Sequence, residues 1–187
     1  MQTAEQLHFT AAEFLAWEET QSEKHEFIAG EVFAMTGARQ DHVIVSLNIA
    51  SALKQRLRGT PCRAYIADMK LHVEAADAFF YPDVMVSCHA EDRLAKQFLS
   101  HPALIVEVLS ESTADYDRGG KFVAYRKLES LQEYLIVDID NRRVECFRRT
   151  ADNDWLLHDY LGEAEFQLSS LGFSLPLAEV FEDIAAT

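Results

Sequence analysis

Residues that would let this chain be loosened, stapled or embedded are scarce. Seven glycines and four prolines in 187 residues leave little room for a disordered linker, so one domain is expected over residues 1–187. No apolar run approaches the length of a membrane span. The opening MQTAEQLHFT has neither a basic start nor an apolar core, so no signal peptide is expected. The three cysteines, Cys62, Cys88 and Cys146, lie far apart, are odd in number and form no CxxC pair. Neither a zinc knuckle nor a disulfide framework is therefore expected, and a reducing cytoplasm is the compartment that fits.

A basic surplus is missing too. The net charge is -14, whereas nucleic-acid binding draws much of its affinity from Lys and Arg neutralising phosphates. The acidity, however, sits at the ends. Residues 1–35 hold seven acids and one base, residues 150–187 hold eight acids and no base, and the middle is balanced. Within that middle, Lys54, Arg56, Arg58 and Arg63 form one basic cluster, and Arg142, Arg143, Arg148 and Arg149 another. Each is either a solvated face or a patch for phosphates. Strong non-specific duplex binding is not expected.

The elements that are present read clearly. Thr10, with Glu13 three residues on, marks a helix start that carries Phe14, Leu15 and Trp17. HEFIAG and EVFAMTG form a hairpin turning at Gly30. Residues 38–57 give the longest helix, with Val45, Ile49, Ala52 and Leu53 on its apolar stripe and Val43, Leu47 and Ala50 widening it. Strand-like runs CRAYIA, MKLHV, YPDVMVSC and ALIVEVL follow, then a helix over 116–128 and the strand EYLIVDI. A second hairpin joins RRVECFRR to DWLLHDYL, and Pro176 opens a short last helix over 177–184. This order predicts an α/β (α+β) protein with a mixed central sheet flanked by helices and extra hairpins towards both ends.

Four places can carry chemistry. In YPDV, proline suits a strand start, and alternation puts Asp83 on the face of Met85 and Ser87, opposite Val84 and Val86. Alone, this is the pattern of a turn acid. ALIVEVL is sharper, because Glu107 is a single acid inside an apolar strand buried on both faces. Burying a carboxylate there costs ~5 kcal/mol unless a basic partner, a raised pKa or a metal ion compensates it. In the next helix, Asp117, Lys121 and Tyr125 are four apart and share a face. That spacing makes either an exposed ion pair or a lysine aimed at Glu107. His42 lies on the inward stripe of the long helix, as a core histidine or as a polar support for the carboxylates.

Taken in order, KHEFIAGEV, His42, IADMKLHV, YPDVMVSC, ALIVEVLSEST, DRGGKFVAYR and EYLIVDI resemble the Uma2-type (DUF820) proteins of the PD-(D/E)XK nuclease superfamily. The resemblance runs over residues 8–184. It implies a restriction-endonuclease-like core, with Asp83 and Glu107 as ligands of Mg²⁺ or Mn²⁺. From its position beside Glu107, the main-chain carbonyl of Val108 is a candidate for a further ligand. Where the family name asks for an acid, any residue, then lysine, position 109 is Leu109. Lys121 matches the place to which the lysine has moved in Uma2-like proteins. The literal triplet Asp68-Met69-Lys70 precedes YPDV, which leaves Lys70 as a supporting charge.

The implied activity is metal-dependent hydrolysis of phosphodiester bonds in nucleic acid, DNA before RNA. Asp83, Glu107 and Lys121 would be the catalytic set, supported by His42, Asp117, Tyr125 and Lys70. A catalytically silent binding protein on the same fold and a small-phosphoester hydrolase are the competing readings. A homodimer is an open expectation, since terminal hairpins could cover a partner's sheet edge.

Overall fold

In the computed structural model, which describes residues 8–35, 37–110, 114–162 and 164–185, Thr10 caps the first helix, α1 (Ala11–Glu18). Its hydroxyl accepts from the Glu13 N–H, and Glu13 Oε2 accepts from the Thr10 N–H at 2.8 Å, which closes the capping box. One turn on, Phe14 is fully buried against Phe27 and Phe79, with ring centroids 5.1 and 5.7 Å away. The hairpin β1 (His25–Ile28) and β2 (Glu31–Ala34) turns through Ala29 and Gly30, both at positive φ. That is the twist a two-residue hairpin needs.

The long helix is α2 (Gln40–Arg56). Val45, Ile49, Ala52 and Leu53 are buried, as expected. Val43 and Leu47 are not part of the buried stripe: they are 54% and 60% exposed. Two residues turn a helix by about 200°, so Val43 and Leu47 point away from Val45 and Ile49.

After α2 come β3 (Arg63–Ile66), β4 (Lys70–Val73), β5 (Ala78–Phe80), β6 (Val84–Ser87), β7 (Phe98–Leu99) and β8 (Pro102–Val108). The next helical stretch is α3 (Ala114–Tyr116), a π-helical turn (Asp117–Lys121) and α4 (Phe122–Tyr125). Then follow β9 (Glu133–Asp138), β10 (Arg143–Arg149), β11 (Trp155–Tyr160), β12 (Glu165–Leu168), β13 (Phe173–Pro176) and α5 (Leu177–Val180).

These strands make a six-stranded sheet in the order β11-β10-β9-β8-β6-β3 and a five-stranded sheet in the order β2-β1-β5-β4-β7. In the larger sheet only β8 and β9 run parallel. Period-two alternation sorts its side chains. Val84, Val86, Leu104, Val106 and Val137 meet α2, α5 and the β12–β13 hairpin. Met85, Ile105, Tyr134 and Ile136 meet α4 and the five-stranded sheet. Both faces are covered, which is why β6 and β8 read as apolar runs.

Both hairpins extend this chain's own sheets, through β1 on β5 and β10 on β9. One expectation about pairing changes, and it concerns the cysteines. Cys62 and Cys88 are joined by a disulfide, contrary to the cysteine spacing: antiparallel pairing of Arg63 with Ser87 sets the two flanking cysteines opposite one another. Cys146 is free and buried. Among the described residues, no helix is long and apolar enough to cross a membrane.

Candidate metal centre

Pairing of β6 with β8 builds the site. The register matches Val84 with Val106, so one step further sets Asp83 opposite Glu107 on the face that carries Met85 and Ile105. Opposed residues in an antiparallel pair lie about 5 Å apart at Cα. Asp83 is held firmly: its Oδ2 accepts from the Val108 N–H at 2.8 Å and lies 3.3 Å from His42 Nε2. Burial pushes the His42 pKa down, but the hydrogen bond to Asp83, the Asp83 charge and the Val108 carbonyl outweigh it and raise the pKa overall. The inward stripe of α2 thus brings His42 onto the Asp83 carboxylate.

Glu107 is 2% exposed. Its Oε1 accepts from the Tyr125 hydroxyl at 2.6 Å and from Lys121 Nζ at 3.1 Å. Even so, burial raises its pKa from 4.5 to about 8, with Asp83 and Asp117 adding repulsion that Lys121 does not cancel. The π-helical turn explains how Asp117 and Lys121 come to face this strand. Tyr134 donates to the Asp117 carbonyl at 2.9 Å, while Arg118 reaches outward to pair with Asp138 and Glu145. Widened turns of this kind recur at functional sites. A Cβ at Gly120 would stand 2.3 Å from the ring of Tyr116, an exposed side chain that would have to turn aside.

Sequence reasoning missed Glu26. It enters from β1, is 9% exposed and lies 3.3 Å from Lys121 Nζ. Burial raises its pKa, against the pull of Lys121 and an N–H from Tyr81. A glutamate in a half-polar hairpin carries no signal by itself; an inward-facing acid became visible only once β1 paired with β5. Lys70 is not part of the centre: its ammonium lies over the Tyr81 ring, 5.6 Å from the centroid, on β4 of the other sheet.

Four carboxylates, of Glu26, Asp83, Glu107 and Asp117, therefore gather around one ammonium. Lys121 reaches three of them, at 3.3, 3.1 and 3.2 Å, and its pKa is held well above 10.5 by their charge despite its burial. One ammonium would not balance all four carboxylates if they were ionised together, and burial with mutual repulsion raises the pKa of Glu107 and of Glu26. Glu26 Oε1 and Asp117 Oδ1, the oxygens that face Lys121 Nζ, are buried and have no hydrogen bond beyond that ion pairing. Buried carboxylate oxygens that share a single ammonium fit a further cation. The donors are hard oxygens, which suit Mg²⁺ or Mn²⁺ over softer metals. No three of these side chains form a preassembled cage: among the described residues, only His89, Glu91 and His101 bring three such ligand atoms within 4.8 Å of one another. Mg²⁺ commonly makes do with one or two carboxylates and retains water, so a pair plus the Val108 carbonyl is an adequate donor set.

Much of the two basic clusters meets a different fate, while Lys54, Arg58 and Arg63 stay exposed. Arg148 is bound by Glu133, Arg143 by Asp159 and Glu145, and Arg56 by Glu179; Arg149 donates to the carbonyls of Arg126, Leu128 and Leu131. These guanidiniums hold the fold together.

This mixed sheet with helices on its faces is a restriction-endonuclease-like fold. A crystal structure titled a "putative nuclease belonging to DUF820" from Anabaena variabilis shares it, with TM-score 0.77 at 17% identity, covering 92% of this chain and 97% of that one. The chain belongs to the Uma2 family, described as "Putative restriction endonuclease", whose match spans residues 11–178. Two relatives from Synechocystis sp. (strain PCC 6803) are similar nearly end to end. "Uncharacterized protein slr1290" is 36% identical over 92% of this chain and 91% of its own length. "Uncharacterized protein sll1609" is 37% identical over 86% and 92%.

Proposed function

We propose that this protein is a metal-dependent endonuclease that hydrolyses phosphodiester bonds in nucleic acid, DNA foremost. The observation that carries the reading is the surplus of buried carboxylates around Glu107, left uncompensated by Lys121. Asp83, Glu107 and the Val108 carbonyl would hold Mg²⁺ or Mn²⁺. When bound, such an ion supplies Lewis-acid polarisation of the phosphate and a more acidic water.

The chain's own residues do the rest. The Val108 N–H and His42 fix one oxygen of Asp83, leaving the other free for the ion. The Tyr125 hydroxyl fixes Glu107 in the same way. Lys121 stays protonated, held so by its three acidic neighbours, and so serves as a charge-balancing and orienting donor. A general-base role for Lys121 does not fit that environment. Asp117 and Glu26 position the ammonium.

One observation favours the silent alternative: of the arginines that sequence alone offered to phosphates, Arg56, Arg142, Arg143, Arg148 and Arg149 are engaged within the fold. That leaves Arg58 and Arg63, both exposed. Incubating the purified chain with single- and double-stranded DNA, RNA and a chromogenic phosphodiester, with Mg²⁺ or Mn²⁺, separates these readings. Cleavage lost in Asp83→Ala and Glu107→Ala supports the nuclease. Cleavage of the small diester alone moves the assignment to a phosphoesterase, and inactivity on every substrate leaves the silent module. A homodimer would use the outer strand β11, where Leu156 and Leu157 are exposed; sedimentation of wild type against Leu157→Glu reads this out.

A further inference from the structure

The strand pair that carries Asp83 and Glu107 at one end carries a different cluster at the other. His89 follows the end of β6, and His101 precedes β8; Glu91 lies two residues beyond His89. From His101 to Glu107 is six residues of strand at about 3.3 Å each, so the two ends are roughly 20 Å apart. We propose that His89, Glu91 and His101 form a second metal site, one that takes a transition metal of the zinc, nickel or copper kind through two imidazoles and a carboxylate.

Three observations converge. First, the ligand atoms of the three side chains already lie within 4.8 Å of one another. Bound zinc holds its ligands at about 2.0–2.2 Å and in the plane of each imidazole. Closure therefore asks the His89 ring to turn out of its stack on His101, and His89 and Glu91 are exposed and free to move.

Second, the two histidines are brought together by structure. Buried Ser87 donates its hydroxyl hydrogen to the His101 carbonyl at 3.0 Å, while its Oγ accepts from the His89 N–H at 3.2 Å. The register shift between Val86 and Ser87 falls at this junction. The result is a pair of stacked imidazoles, with centroids 4.1 Å apart and planes 23° apart.

Third, the supporting shell of a metal-bound histidine is present. Asp92 is 3% exposed and accepts from the N–H groups of Ser100 and His101, both at 3.0 Å. Its Oδ1 also lies 3.4 Å from His101 Nδ1. A buried carboxylate on Nδ1 fixes the tautomer and turns Nε2 outward as the donor, the arrangement that metal-ligating histidines adopt. On the other ring, His89 Nδ1 accepts a long hydrogen bond from the Glu91 N–H, 3.4 Å, which leaves the proton on Nε2. Binding through Nε2 asks this exposed ring to release that bond and change tautomer.

The chemistry separates this site from the acidic centre. Imidazole selects zinc, copper and nickel, whereas Mg²⁺ prefers oxygen. Three protein ligands at the surface leave a fourth position open to water, the count that distinguishes reactive zinc sites from closed structural ones.

The test uses the untagged full chain stripped with chelator, with millimolar Mg²⁺ present to saturate the acidic centre. Co²⁺ is titrated and followed by its visible absorption, then displaced with Zn²⁺. One equivalent of Co²⁺ should give a ligand-field band that Zn²⁺ removes. His89→Ala and His101→Ala should each weaken binding at least tenfold, and Asp92→Asn should weaken it less. Asp83→Asn and Glu107→Gln should leave it unchanged. Because His89 is exposed, His89→Ala keeps the fold, and its circular dichroism should match wild type. Equal Co²⁺ and Zn²⁺ affinity in wild type, His89→Ala and His101→Ala would overturn the proposal. So would loss of the site in Asp83→Asn alone.

Discussion

Two glutamates lie buried on neighbouring parallel strands, and they live in opposite circumstances. Glu133, on β9, is fully buried and fully answered: it accepts from the Ser169 N–H, from the Ser170 N–H and hydroxyl, and from Arg148 Nε. Glu107, on β8, has one ammonium and one hydroxyl, and three more carboxylates close by. The first is a structural acid that ties the β12–β13 turn to the sheet. The second is held in an environment that disfavours its charge. Burial alone does not mark a functional acid; burial without sufficient compensation does.

Substitution should split the pair most sharply in activity. Asp83→Asn or Glu107→Gln should reduce metal-dependent cleavage on the order of 100-fold or more, because a bound metal supplies several kcal/mol of transition-state stabilisation. Glu133→Gln should leave the rate within a few-fold in protein that remains folded. Stability should show the reverse order. Glu133→Ala strands the Arg148 guanidinium and two backbone N–H groups, a loss of about 3–5 kcal/mol in urea unfolding. Glu107→Gln should cost little, and in metal-free protein it should relieve repulsion.

That contrast bears on what the sequence disclosed. Glu107 was legible because it is the one acid in an apolar strand, and Asp83 because proline fixed where its strand begins. His42, Lys121 and Tyr125 followed from helical spacing, although the π-helical turn that aims Lys121 left no periodic signature. Glu133, at the edge of an apolar strand, gave no warning that four donors from distant segments would surround it. Glu26, the Cys62–Cys88 disulfide and the His89–His101 pair share the same cause: each depends on which strands pair, and that information is long-range. The short strands β5 and β7 and the β12–β13 hairpin were hidden for a related reason, being two to four residues long and defined by their partners.

A pH series sharpens the comparison further. In metal-free protein the folded pKa of Glu107 is raised, from 4.5 to about 8, and Glu26 and His42 are shifted upward as well. For a carboxyl raised in the folded state, ionisation opposes folding. For a histidine raised in the folded state, the stabilisation is present below its unfolded pKa and lost above. All three signs agree: urea midpoints measured with chelator should fall as pH rises from about 4.5 to about 8. Glu107→Gln should flatten that slope, and saturating Mg²⁺ should do the same. The smallest effect lies far from either glutamate. Thr10→Ala removes the capping box of α1 and should cost about 1 kcal/mol with no change in metal affinity.

The central claim is that the surplus charge around Glu107 is a seat for a divalent cation, and Mn²⁺ binding reads it most directly. Free Mn²⁺ would be counted by electron paramagnetic resonance in a His89→Ala/His101→Ala background, so that only the acidic centre reports. The account predicts one site there, at least tenfold weaker after Asp83→Asn or Glu107→Gln and unchanged after Glu133→Gln. Equal Mn²⁺ affinity in all four proteins would contradict it, and would leave Lys121 and Tyr125 as the partners of Glu107.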